Sequence, residues 1–285
     1  MALLDALILG VLQGLTEFLP ISSSAHLRIA GELFSFTGDP GATFTAIIQI
    51  GTELAVLIYF SQDIANILRQ WGTSVIKGPT WWLSATVESR GYARIGWLII
   101  VGTIPIAFLG YTAQHYVRET FRSLWVVAIV LVLFGLVLGL ADRFGNSSKK
   151  LNSLSIPHGL LYGLAQALAL IPGVSRSGAT ISMGRALGYD RSSAARYSFL
   201  LAVPSVFGSG FYELANALNQ PEIYMPFSWA ATILAAVTAF AVGLAVISWF
   251  MKYISNRSFL PFIIYRVALG VLIMLALTLG LIEPL

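Results

Sequence analysis

Two short polar stretches in this chain carry residue types that could do chemistry. The first runs from Gln13 to His26 and contains Glu17, Ser22, Ser23 and Ser24. Gln13 and Glu17 stand four residues apart and so share one helical face. Glu17 interrupts an apolar run, where a carboxylate is costly and marks a functional site. Pro20 breaks the run, three serines follow, and His26 falls in the first turn of the next segment. A carboxylate, a hydroxyl and an imidazole thus converge, which suits nucleophilic attack with proton transfer. Ser23 is the preferred nucleophile, with His26 three residues on as its acid/base partner. Direct attack by His26, attack by an activated water, and Ser23 acting only as a helix cap all stay open. Glu17 could orient His26 or hold a cation.

The second stretch reads Pro172-Gly173-Val174-Ser175-Arg176-Ser177-Gly178-Ala179-Thr180. It supplies the opposite charge. A helix that starts at Ser175 would point free N–H groups and the positive end of its dipole at an anion. Arg176 adds a planar fork that matches phosphate oxygens. The glycines let the backbone approach closely. Ser175, Ser177, Gly178 and Thr180 are therefore candidate anion-binding positions, alongside Gln13, Ser22 and Ser24 from the first stretch.

The elements that must hold these residues are membrane helices. The 285-residue chain is 57% hydrophobic and only 11% charged, with a mean hydropathy of +0.80. Soluble domains carry about 25% charged residues. Apolar runs near 44–60, 95–113, 124–141, 229–250 and 261–282 are long enough to span. A sixth, 197–214, is interrupted by Pro204 and several glycines. The expected fold is all-α and polytopic, a single membrane domain of about six transmembrane helices. The first residues lack the basic start of a signal peptide, and Glu17 breaks the core such a peptide would need. There is no cysteine, which excludes disulfides and thiolate chemistry, and the three histidines are too dispersed to predict a zinc site. The net charge of +4 reads as basic loops, and no nucleic-acid-binding pattern appears.

The runs 4–19 and 159–171 are too short to span, and each ends in a proline-containing break followed by serine. Each predicts a half-helix, a polar turn and a second half-helix, tolerated in a membrane only where protein or a wet cavity surrounds it. The two segments match in register: Gln13 precedes Ser22 as Gln166 precedes Ser175. This predicts two re-entrant hairpins in pseudo-repeats of about 1–142 and 156–285, in inverted topology around a midplane site. Read as re-entrant, they put loop 61–94 (Arg69, Lys77, Arg90, Arg94) and loop 142–157 (Arg143, Lys149, Lys150) on one side. Arg185, Arg191, Lys252 and Arg257 join them. The other side has Arg118 and Arg122, with no Lys or Arg in 215–226. The basic side should be cytoplasmic, with both termini outside. Glu53 and Arg266 are expected to pair structurally with each other or with Arg28, with facing the cavity as the open alternative. Gln49 is read the same way, and His115 and His158 are expected to be solvent-facing.

These motifs resemble the undecaprenyl-diphosphate phosphatase family. Gln13 to His26 looks like its (Glu/Gln)xxxGlu motif and the Ser/His stretch after it, and Pro172 to Thr180 looks like its PGxSRSxxT motif. The resemblance covers nearly the whole chain, including Phe44 to Leu57 and Phe199 to Pro204. It implies a bacterial inner-membrane hydrolase that conferred bacitracin resistance in other members. Such an enzyme converts undecaprenyl diphosphate to the monophosphate carrier lipid of peptidoglycan synthesis, using Mg²⁺ or Ca²⁺ at a site open to the periplasm. Glu17, Ser23, His26 and Arg176 match the family's essential positions, with Glu17 as the metal ligand. Gln13, Ser175, Ser177 and Thr180 support them. Gln13 in place of Glu removes one carboxylate from any clamp on the metal. A homodimer is open. The rival reading is a secondary transporter or lipid flippase, which also uses inverted repeats and broken helices.

Overall fold

The computed structural model describes residues 3–33, 41–120, 123–220 and 227–284, without the side chains of 32–33 and 113–120. The readings placed on His115, Arg118, Arg122 and residues 221–226 lie outside the described residues. The described residues form twelve α-helices in the order α1 (Leu3–Thr16), α2 (Ser23–Leu33), α3 (Gly41–Tyr59), α4 (Ser61–Lys77), α5 (Pro79–Ser84), α6 (Val87–Thr120), α7 (Leu124–Phe144), α8 (Ile156–Ala167), α9 (Arg176–Ala186), α10 (Arg191–Asn219), α11 (Trp229–Asn256) and α12 (Leu260–Thr278). Six of them, α3, α6, α7, α10, α11 and α12, are long and apolar enough to cross a bilayer. The all-α polytopic fold is as the sequence predicts.

Two details differ. Residues 61–94 are helical through most of their length and include α4 and α5. The spacing of Ile64, Ile67 and Trp71 gives α4 an apolar side, and Trp71 seats directly over Gly96 of α6. Also, α10 runs unbroken through Pro204. A membrane helix absorbs one missing N–H where neighbours and hydroxyls re-satisfy the freed groups.

The half-helices are α1 with α2, and α8 with α9. They contain 14, 11, 12 and 11 residues. At 1.5 Å per residue none reaches the roughly 30 Å of a bilayer core. Their packing shows that both pairs re-enter. Ala6 near the start of α1 and Ala30 near the end of α2 join one apolar cluster with Phe44 of α3 and Ala231 of α11. The first pair therefore leaves by the end at which it entered. At the opposite end, His158 of α8 bonds Tyr189, whose backbone carbonyl accepts from Arg185 of α9. The second pair enters and leaves there. The two halves are thus inverted.

The end that receives α8 and α9 is the basic one. Asp142 at the foot of α7 takes Arg185 Nε at 3.0 Å and holds Arg191 through both carboxylate oxygens at 2.8 and 2.9 Å. Arg196 pairs with Asp63 of α4. At the other end, Thr43 of α3 donates to Glu213 of α10 at 2.8 Å. The charged groups expected to share one side do share it.

The repeat also fixes how closely the half-helices pack. Each leans on a spanning helix of the other half through a glycine at the matched position. A Cβ on Gly10 would lie 2.5 Å from the Ala235 carbonyl of α11, and one on Gly163 would lie 2.3 Å from the Gly102 carbonyl of α6. Small residues that let backbones approach are the usual means of joining helices in lipid. Gly163→Val should lower stability by about 1–3 kcal/mol through overpacking, read as a lower unfolding midpoint in detergent. Gly72→Ala on α4, where an added Cβ meets nothing within 4 Å, should not lower it.

Candidate active site

The tips of the two re-entrant pairs meet in the interior. In each turn the chain reverses through a serine with positive φ: 74° at Ser22 and 67° at Ser175. Non-glycine residues in this region cost of order 1–3 kcal/mol and persist only when the surroundings hold them. Here each serine repays part of that cost by capping the helix it opens. Ser22 Oγ accepts from Ala25 N at 3.4 Å, and Ser175 Oγ accepts from Gly178 N at 3.1 Å. Ser22, not Ser23, is therefore the cap of α2, which leaves the Ser23 hydroxyl free for other work.

Arg266 of α12 holds both turns. It is fully buried. Its guanidinium donates to the Pro20 carbonyl at 3.1 Å on one tip, and to the Gly173 and Val174 carbonyls at 2.9 and 3.0 Å on the other. The expected pairing of Arg266 with Glu53 or Arg28 is corrected: its donors go to backbone carbonyls, three of which the two breaks leave without helical donors, with Leu131 of α7 as a fourth at 3.4 Å. Gly178 clears its path, since a Cβ there would lie 2.6 Å from Arg266 Nη1.

Glu17 is the hub of the site. Its Oε1 accepts from Arg176 Nη2 at 2.7 Å. Its Oε2 accepts from Gln13 at 2.6 Å, from Ser23 Oγ at 2.7 Å and from Gln49 of α3 at 3.4 Å. Glu53, also on α3, lies 3.7 Å from Arg176 Nη2 and is fully buried. It belongs to this cluster rather than to a structural pair elsewhere. Gln49 likewise serves the site.

His26 is not where the Ser23–His26 pairing requires it. Its Nδ1 lies 2.7 Å from the Ser22 carbonyl and its Nε2 lies 2.6 Å from the Tyr265 hydroxyl, with the two rings stacked. A carbonyl only accepts, so Nδ1 carries a proton, and a neutral ring then accepts from Tyr265. Both nitrogens are engaged, and the group bonded to the Ser23 hydroxyl is Glu17. The helical turn between residues 23 and 26 puts both on one face, but the Ser22 carbonyl and Tyr265 compete for the ring.

A cavity of about 560 Å³ reaches these groups. Glu17, Ser22, Ser23, Ser24, Ser175 and Arg176 form its floor, with Gln49. Its walls are α6 from Thr103 to Tyr111 and α10 from Pro204 to Glu213. Since Glu213 bonds Thr43 near the start of α3, the cavity runs from the tips toward the end opposite the basic layer. Gln13, Ser177, Gly178 and Thr180 stand behind the floor. Ser177 donates to the Leu19 carbonyl at 3.2 Å, joining the tips, and Thr180 turns back to the Arg176 carbonyl at 2.7 Å. Motif reading missed Tyr265 and the α6–α10 wall, and it left Glu53 and Gln49 undecided between structural pairing and the cavity. One signal was present: Gln49 and Glu53 repeat the four-residue spacing of Gln13 and Glu17.

The sequence profile described as bacitracin resistance protein BacA matches residues 6–272. The chain belongs to this family. A protein of a Nocardioides species named undecaprenyl-diphosphatase is 55% identical over 94% of this chain and 93% of its own length. One of the same name from Micrococcus luteus is 54% identical over 95% of each chain. Undecaprenyl-diphosphatase 2 of Agrobacterium fabrum is 52% identical over 99% of this chain and 98% of its own.

Replacing Arg266 tests how the site is held. Arg266→Met strands the Pro20, Gly173 and Val174 carbonyls. Each unpaired buried acceptor costs about 1–3 kcal/mol before relaxation. The variant should unfold at a markedly lower temperature in detergent, and Arg266→Lys, which keeps charge with fewer donors, should fall between it and the parent.

Proposed function

We propose that this chain hydrolyses undecaprenyl diphosphate to undecaprenyl phosphate and inorganic phosphate, regenerating the carrier lipid for cell-wall synthesis. The observation that carries this reading is the Ser23 hydroxyl held 2.7 Å from Glu17 Oε2, beside Arg176, on the floor of a cavity between membrane helices. The names of relatives that match over almost the whole chain support the same substrate. Inverted repeats also occur in transporters, but transport does not need a hydroxyl bonded to a carboxylate beside a phosphate-binding arginine.

The geometry suggests a route. Arg176 Nη1 is buried and makes no hydrogen bond, so the fork has an unused donor that a small side-chain shift could turn to a phosphate oxygen, and Nη2 can follow by leaving Glu17. The free N–H groups at the start of α9 add to this field. Ser23 Oγ then attacks the terminal phosphorus and gives its proton to Glu17 Oε2. The bond to the bridging oxygen breaks and undecaprenyl phosphate leaves. A water cleaves the phosphoserine, and Glu17 returns the proton to Ser23. His26 serves this route by holding the Ser22 turn. The apolar faces of α6 and α10 would lie along the prenyl chain.

The residues also fit a divalent cation such as Mg²⁺ or Ca²⁺. The available donors are hard oxygens, Glu17 first, and the buried Glu53 and Gln13 retain oxygens without a hydrogen-bond donor. A bound cation would supply neutralisation of diphosphate oxygens.

The protein is a multi-pass membrane protein, and a bacterial inner membrane is its natural setting. We take the basic layer as cytoplasmic, which opens the cavity to the periplasm or exterior. An impermeant thiol reagent on intact cells should label a cysteine placed at Asn219 and spare one at Lys150. The opposite pattern inverts the topology. Ser23→Ala should fold normally, since Ser22 provides the cap, and should lose roughly 10³-fold or more in phosphate release from the lipid diphosphate. Arg176→Lys should lose about 10²-fold. Near-parental turnover by folded Ser23→Ala would remove Ser23 as nucleophile.

A further inference from the structure

Glu53 has no explanation as a structural residue. It is fully buried in the middle of a membrane helix, and neither of its carboxylate oxygens makes a hydrogen bond. A carboxylate placed so is costly unless something positive or a donor answers it. The cation that answers it among the described residues is Arg176 at 3.7 Å, through the same Nη2 that Glu17 holds at 2.7 Å. Two buried carboxylates therefore share one guanidinium. Arg266 does not make up the difference by contact, because its donors go to backbone carbonyls. Beside them Gln13 Oε1, also fully buried, has no donor either. With both carboxylates ionised the cluster would carry one net negative charge, and three of its oxygens have no hydrogen-bond donor.

The arrangement repeats itself on two helices. Gln13 faces the cluster from the last turn of α1 and Glu17 from the residue just past its end, its N–H still bonded to the Gln13 carbonyl, and Gln49 and Glu53 face it from α3 at the same spacing. Gln13 is neutral, so α1 brings only one carboxylate, and α3 brings the second. We propose that Glu53 is a ligand of a divalent-cation site shared with Glu17, with the Gln13 side-chain oxygen as a neutral third donor. Mg²⁺ and Ca²⁺ both take such all-oxygen sets, and one or two carboxylates with substrate phosphate oxygens are the usual complement for Mg²⁺. In this arrangement the cation compensates the second carboxylate at rest and the diphosphate in the complex. The proposal rests on the cation-assisted phosphatase reading given above and assigns the half of the site that the motif does not contain.

The test is calcium binding by the purified full-length protein in detergent, followed by titration calorimetry, with lipid-diphosphate hydrolysis measured in parallel. The parent should bind one Ca²⁺ per chain. Glu53→Gln, which keeps the shape, should weaken binding at least tenfold. Adding Gln13→Glu to that variant should restore affinity to within about threefold of the parent, since the carboxylate returns from α1. Equal affinity of Glu53→Gln and parent overturns the assignment, as does failure of Gln13→Glu to restore it. If Glu53→Gln does not fold, Gln13→Glu alone decides: a third carboxylate should tighten binding at least threefold, and unchanged affinity overturns the proposal. Hydrolysis by a parent that binds no Ca²⁺ would sink the cation site and leave the phosphatase reading intact. Ca²⁺ binding that depends on Glu53 in a protein without hydrolysis would do the reverse.

Discussion

A helix broken inside a bilayer strands the carbonyls at its end, and lipid offers nothing to donate to them. This fold breaks two helices and brings the broken ends together, so the problem arises twice in one place. Arg266 answers both. A guanidinium spreads its five N–H groups in one plane, so one side chain can reach Pro20 on one tip and Gly173 with Val174 on the other. The remaining contacts depend on that clasp. Only when the tips abut can Ser177 reach the Leu19 carbonyl, and only then does Arg176 meet Glu17. The clasp also leaves a positive charge behind a floor that must receive an anion.

Much of this was legible before the structure. Both breaks showed as proline next to serine after an apolar run too short to span. Glu17 and Arg176 stood out as charges with no solvent to face. Matched spacing of Gln13–Ser22 and Gln166–Ser175 announced the repeat, and the charge asymmetry placed the basic layer. Partners were harder to read. Glu53 and Arg266 are both lone charges in apolar helices, and pairing opposite charges is the default guess. Nothing local says that Arg266 binds carbonyls, because the demand for donors is created by two turns far away in sequence. The Ser23–His26 pairing failed for a related reason. Spacing along a helix gives proximity, but which acceptor takes a hydroxyl depends on what the tertiary fold offers. Here Tyr265 of α12 takes the ring, and Glu17, just past the end of α1, takes the serine.

The two halves share a scaffold and divide the chemistry. Ser22 and Ser175 adopt the same rare backbone conformation and the same capping role. The next residue is Ser23 in one half and Arg176 in the other. One strained turn therefore presents a hydroxyl and its copy presents a guanidinium, from opposite sides of the same junction. Inversion is what makes this useful. Were the two pairs to enter from one side, their tips would point the same way, whereas here they point at each other and enclose a site at mid-depth.

Depth sets the remaining constraint. A lipid diphosphate carries its charge at the membrane surface, while Glu17 and Arg176 lie where the half-helices end. At rest each of these two charges neutralises the other at 2.7 Å, and burial without that pairing would be costly. A phosphate that descends the cavity can displace Glu17 from Arg176 one anion for another, so entry does not leave the guanidinium bare. The displaced Glu17 keeps its contact with Ser23 but has lost its strongest donor, which makes it a better proton acceptor at the moment substrate is in place. On the proposed route binding and activation are then one event: the exchange that admits the phosphate would prepare Ser23 for attack on it.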